Sequence, residues 1–105
     1  MEDRLLHERL DVYRLAVEVA RWVRSTTFPP GESALRDQAK RAADSVVLNL
    51  AEGCNSLGGN RNKHYRIARG SAAEVCAVLD LVPLDEAPMR QQQLRRIVFM
   101  ACRLK

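Results

Sequence analysis

Apolar residues return along this chain at intervals of three and four, in four stretches separated by three breaks. That interval is the period of an α-helix that turns one face to a core. The first stretch spans about 11–25, with Val12, Leu15, Ala16, Val19, Trp22 and Val23 on one side and Arg14, Glu18 and Arg21 opposite. Asp11 has the side chain of an N-cap, able to accept a bond from a first-turn amide. Phe28-Pro29-Pro30-Gly31 then ends the helix, because proline lacks a donor and clashes with the preceding turn. A second helix is predicted over about 33–53, with Leu35, Ala39, Ala42, Val46, Leu50 and Gly53 along one face. Val47, Leu48 and Ala51 project from its other sides, so its middle is apolar nearly all round. Such a helix is buried on more than one side.

Cys54 to Gly59 is a loop by composition, and Asn60 is placed to cap a third helix over about 60–81. Tyr65, Ala68, Ala72, Val75, Cys76 and Leu79 form one stripe of it; Ile67, Ser71, Val78 and Leu81 form a second. Gly70 in mid-helix costs roughly 1 kcal/mol of propensity. That cost predicts close approach of another backbone at Gly70-Ser71-Ala72-Ala73. Pro83 and Asp85-Glu86 mark the next turn, and Pro88 suits the first turn of a fourth helix over about 87–103. Leu94, Ile97, Val98, Ala101 and Leu104 are its inward stripe. Four helices with short connections predict an all-α fold, an antiparallel up-down-up-down four-helix bundle in one domain over 1–105.

Composition changes this picture in one respect. The chain has 105 residues, 47% hydrophobic and 5% aromatic, so its core is built from Ala, Val and Leu. A chain of this length buries only about two-thirds of its unfolded surface, so the core is thin and self-association would add to it. Tyr13 and Val17 on the first helix, Val47, Leu48 and Ala51 on the second, and Phe99 and Met100 on the fourth lie off the inward stripes. Together they predict the interface of a homo-oligomer. Cys54, Cys76 and Cys102 are odd in number, far apart and without a C-x-x-C pair. They argue against a disulfide framework or a zinc ribbon and for reduced thiols. The start, Met1-Glu2-Asp3-Arg4, lacks the apolar region of a signal peptide, and no apolar run approaches the ~20 residues of a membrane span. The expectation is a cytoplasmic protein with no membrane partner.

Charge adds a candidate activity. There are 17 basic and 13 acidic residues, for a net charge of +4, and most of the basic ones are Arg. Arg61, Lys63, Arg66 and Arg69 form a stretch without an acid, its members about one helical turn apart and able to track a phosphate backbone. Arg90, Arg95, Arg96, Arg103 and Lys105 form a second acid-free run. No base-reading module accompanies them, so binding to RNA or DNA through these surfaces should be sequence-tolerant and salt-dependent. Solvated helix faces are the alternative, which leaves a protein–protein scaffold with incidental charge.

Catalytic chemistry has little to work with. A di-iron bundle needs two Glu-x-x-His motifs, and neither His7 nor His64 has a Glu three residues before it. His64 reads as a surface residue in the first turn of the third helix. Asn49, Glu52, Ser71 and Glu74, with Arg41 or Arg69, predict a structural polar network between helices two and three, because buried polar groups must find partners. Tyr65 and Arg69, one turn apart, are spaced for a cation–π pair. No metal, cofactor or enzymatic activity is expected.

The run Asn49-Leu50-Ala51-Glu52-Gly53 and the later run Ile67-Ala68-Arg69-Gly70-Ser71-Ala72-Ala73-Glu74 are not ordinary helix filler. With Asp11-Val12-Tyr13 and the turn Phe28-Pro29 followed by Glu32, Leu35 and Gln38, they span nearly the whole chain. This set resembles the bacterial four-helix-bundle proteins encoded in intervening sequences of large-subunit ribosomal RNA genes. A related group is the accessory variability determinants of diversity-generating retroelements. The resemblance implies an up-down-up-down bundle assembled as a ring-shaped homopentamer. It also implies a basic surface for nucleic acid and, in the retroelement branch, a reverse transcriptase as partner. No enzymatic activity comes with it.

Overall fold

The computed structural model describes residues 3–104. Met1 and Glu2 of the charged start and Lys105 of the second basic run lie outside the described residues. Four helices follow one another: α1 (Asp11–Ser25), α2 (Ser33–Cys54), α3 (Gly59–Leu81) and α4 (Ala87–Cys102). A single 3-10 turn, Leu6–Arg9, precedes them. It is too short to leave a periodic signal in the sequence. Glu8 holds it by accepting the Leu5 amide at 2.7 Å, and the His7 ring meets Tyr13 edge-on at 4.7 Å. Among the described residues there is no strand.

The four helices form a bundle in which α1 packs on α2, α2 on α3, α3 on α4, and α4 back on α1. The inward stripes meet in the middle, where Ala39, Leu50, Ala68, Ala72, Val75, Ile97 and Ala101 are wholly buried. Phe28, from the proline break, is also buried and joins this core. Alanine dominates the faces that α2 and α3 turn to each other, so these two backbones lie close.

Local chemistry sets the helix ends, and two of them differ from the sequence expectation. Leu10, with extended backbone, occupies the N-cap position of α1 and makes no side-chain cap bond. Asp11 is the first helical residue, where its carboxylate favours the positive end of the helix dipole and lies 3.5 Å from Arg14. α3 begins one residue before Asn60, because Gly58 takes φ 62° and turns the chain there. That left-handed conformation favours glycine. At the far end of α1, Thr26 and Ser25 donate side-chain bonds to Trp22 O at 2.6 and 3.1 Å.

The second stripe expected on α3 is mostly outside the core. Val78 is buried, but Ile67 and Leu81 are exposed, because α2 and α4 cover only the Tyr65–Leu79 side. Gly70 also differs from expectation: a Cβ there would meet nothing within 4 Å. Its neighbours do pack against α2, Ala72 wholly buried and Ser71 bonded to Ser45 at 2.8 Å. A tighter approach occurs at Gly53, where a Cβ would sit 2.6 Å from Tyr65 Cε1 and 3.2 Å from His64 Cβ.

Candidate functional site

Where α2 meets α3, a chain of polar side chains crosses between the helices. Asn49 Nδ2 donates to Ser45 O at 2.9 Å and to Ser45 Oγ at 3.1 Å, fixing the amide within α2. Its Oδ1 therefore faces α3 and accepts from His64 Nδ1 at 2.8 Å. That bond places the imidazole proton on Nδ1 and turns Nε2 toward Glu52, 3.9 Å away. Ser71 Oγ donates to Ser45 Oγ at 2.8 Å.

Asn49 and Ser71 thus meet through Ser45, and His64 completes the chain. His64 is half-buried here and not the surface residue its position in the first turn implied. Glu74 does not join them. It is exposed and, among the described residues, accepts a single side-chain bond, from Gln38 Nε2 at 3.2 Å. Among the described residues, neither Arg41 nor Arg69 makes a side-chain hydrogen bond or ion pair; Arg41 is exposed on the outer side of α2.

This arrangement has a measurable consequence. Asn49→Leu removes the acceptor of His64 and the donor to Ser45, leaving half-buried polar groups without partners. The expected loss is about 1–3 kcal/mol, read by urea denaturation. Glu74→Gln, on the exposed side of the same helix pair, is expected to change stability by less than about 0.5 kcal/mol. Equal effects of the two substitutions would refute the assignment.

The cations divide into two sets. Arg61 is structural: its Nε donates to Gly53 O at 3.2 Å and Ser56 O at 3.1 Å, and an Nη donates to Cys54 O at 3.2 Å. It closes the C-terminal carbonyls of α2, which have no partner inside the helix. Arg90 is structural too. Its guanidinium lies 5.3 Å from the Trp22 ring centroid and bonds Glu18 and Glu86, each at 3.0 Å, tying α4 to α1. Sequence spacing had paired Tyr65 with Arg69; the cation–π contacts found are Arg90 with Trp22 and Arg103 with Phe99.

Lys63, Arg66, Arg95 and Arg96 are exposed and Arg69 is half-buried. Among the described residues none of these five makes an ion pair or a side-chain hydrogen bond. Arg103 is exposed and lies beside the Phe99 ring.

The outward apolar residues also divide. Tyr13, Val17, Val47 and Leu48 line one recess between α1 and α2, together with Arg21, Arg24 and Asp44. Ala51 is half-buried on α2 one turn beyond Val47. Phe99 lies elsewhere, in a groove between α3 and α4 that also takes in Ala73, Cys76, Ala77 and Val98. Met100, half-buried, lies beside Phe99 on α4. The seven residues are therefore not one patch, because α1–α2 and α3–α4 share no helix. In the α3–α4 groove, burial pushes the Cys76 thiol up from its ordinary range, against the opposing charge of Arg95. Where the end of α2 meets α3, burial likewise raises the Tyr65 phenol, with the Cys54 thiol adding to the effect and Arg61 opposing it.

Sequence spacing alone did not reveal Ser45, Gln38, Gln91 or the roles of His64, Arg61 and Arg90. Gln91 is buried and donates to Cys76 O at 3.0 Å and Asp80 Oδ1 at 2.7 Å, joining α4 to α3. The one available signal was its position three residues before Leu94 on the inward stripe. Among the described residues no group of three or more His, Cys, Asp or Glu side chains is gathered as metal ligands. No helix among them is long and apolar enough to cross a membrane.

These features define a helical bundle whose polar contacts serve mainly to join its helices and whose outer faces carry exposed cations and apolar recesses. A family model described as 23S rRNA-intervening sequence protein matches residues 8–97. The match covers most of the chain, which belongs to this family. No curated protein matches it.

Proposed function

We propose that the protein is a non-enzymatic, cytoplasmic, homo-oligomeric bundle that holds RNA or DNA by its phosphate backbone. The observation that carries this reading is the set of unpaired cations on the outer faces of α3 and α4. Lys63, Arg66 and Arg69 on α3, with Arg95 and Arg96 on α4, lie in stretches that contain no acid to neutralise them. Arg103 extends the set beside Phe99. Arg61 and Arg90 contribute to the fold and not to this surface. The helices alternate in direction in this reading: Gln38, Ser45 and Asn49 of α2 meet Glu74, Ser71 and His64 of α3, so rising numbers face falling ones. The resemblance described above points to five copies.

Titration of fluorescently labelled RNA and duplex DNA at several salt concentrations tests the binding. Affinity should differ little among sequences and fall with log salt, with a slope of about −2 to −5 for the few phosphates these side chains can reach. Lys63→Glu combined with Arg66→Glu should weaken binding by about tenfold or more and flatten that slope, while Lys63→Arg keeps both. Absence of binding at low salt would leave the chain as a protein scaffold and defeat the proposal.

A further inference from the structure

The two apolar recesses carry an inference that rests on the oligomer reading above and extends it. Each recess has one large, exposed side chain beside it: Leu48 is 62% exposed at the α1–α2 recess, and Phe99 is 63% exposed at the α3–α4 groove. The α3–α4 groove, of about 540 Å³, has a wall of small residues in Ala73, Cys76 and Ala77. We infer that it receives the α1–α2 face of a second copy of the chain, Leu48 foremost, so that Arg95 belongs to this contact and Lys63, Arg66, Arg69 and Arg96 remain for phosphate.

Three observations favour this occupant. First, the two faces lie on helix pairs that share no member, and the helices close in the order α1, α2, α3, α4, so the faces are on opposite sides of the bundle. A two-fold dimer would join one face to itself and leave the other wet; joining unlike faces covers both in every copy. Second, the shapes fit: a protruding leucine enters a groove whose wall is alanine and cysteine. Third, the charges fit. Arg21 at the α1–α2 recess and Asp80 at the groove are exposed, and neither makes an ion pair among the described residues. At the recess Asp44 is already paired with Arg24 at 2.6 Å, so joining two recesses would set Arg21 against Arg21 with no acid to spare, whereas the groove offers Asp80 beside its Arg95. Unlike faces make a head-to-tail contact, which closes as a ring when its rotation closes.

Complementation tests the pairing. Leu48→Glu spoils one face and leaves the groove; Ala73→Glu spoils the groove and leaves the other face. Both positions are exposed, and circular dichroism checks that each variant remains helical. By light scattering, each variant alone should be a monomer, and a one-to-one mixture should give a heterodimer with twice the monomer mass. Either variant remaining oligomeric alone, or a mixture that stays monomeric, overturns the pairing.

Oxidation of Leu48→Cys supplies a second readout that survives weak complementation. A bond to Cys76 or Cys102 of another copy is expected, and a bond between two copies of position 48 overturns the pairing. A monomeric wild-type chain defeats the oligomer reading itself, whereas a wild-type oligomer without complementation defeats only the choice of faces.

Discussion

Leu50→Ala is expected to lower the unfolding free energy by about 2–5 kcal/mol. Leu50 is wholly buried and points from α2 into the centre of the bundle. The cost of such a truncation depends on how far the surroundings collapse into the space left behind. Here much of the inner surface of α2 and α3 is alanine: Ala39, Ala42, Ala43, Ala68 and Ala72. A methyl group has no rotamer with which to refill a cavity, so the loss should fall toward the upper end of the range. At about 4–8 °C per kcal/mol for a domain of this size, the midpoint of thermal unfolding should drop by about 15–40 °C. Calorimetry on the two proteins at equal concentration reads this directly. Leu50→Met, which keeps the volume, should cost less than about 1.5 kcal/mol. A drop below about 1 kcal/mol for the alanine variant would mean that the core is far more pliable than its packing implies.

Gly53→Ala is expected to destabilise by about 1–3 kcal/mol, although alanine is the better helix former. Propensity alone favours the substitution by about 1 kcal/mol. Against that gain stands the Tyr65 ring: an added Cβ would lie 2.6 Å from Cε1 and 2.7 Å from Cδ1. The ring cannot simply swing aside, because Tyr65 is itself buried between the end of α2 and the rest of α3. Overpacking therefore outweighs propensity. Gly70→Ala supplies the comparison, since nothing lies within 4 Å of its would-be Cβ. That substitution should stabilise by about 0.5–1 kcal/mol. Chemical denaturation of the two variants should thus give shifts of opposite sign. A stabilised Gly53→Ala would show that α2 and α3 separate more easily than the contact distances allow.

The two glycines illustrate what was legible in the sequence. Both lie in helices, and from spacing alone Gly70, among serine and alanine, looked like the point of close contact. Only the register between α2 and α3 decides that Gly53 meets a tyrosine and Gly70 meets open space. The four helices themselves were readable because the apolar period and the Pro and Gly breaks are local properties. The inward faces of α1, α2 and α4 followed from the same period. The second stripe of α3 failed because periodicity counts apolar residues without knowing how many neighbours a helix has. Polar partners were the least legible. Arg61 and Lys63 look alike as members of one basic run, yet Arg61 reaches back to three carbonyls of the preceding turn and Lys63 points outward. The polar chain at Asn49 was expected to end on Glu74 and an arginine. It runs instead through Ser45 and His64, because the helix rotation that buries Tyr65 also brings His64 against Asn49.

The contact between Arg90 and Trp22 provides an optical handle on the molecule. The chain has one tryptophan, so its emission comes from a single place, the junction of α1 with α4. Far-ultraviolet dichroism, by contrast, sums over all four helices. Coincident melting curves from the two signals would mark the bundle as one cooperative unit. An earlier fluorescence change would locate the first opening at α1–α4, with the alanine-lined pair α2–α3 as the last element to come apart.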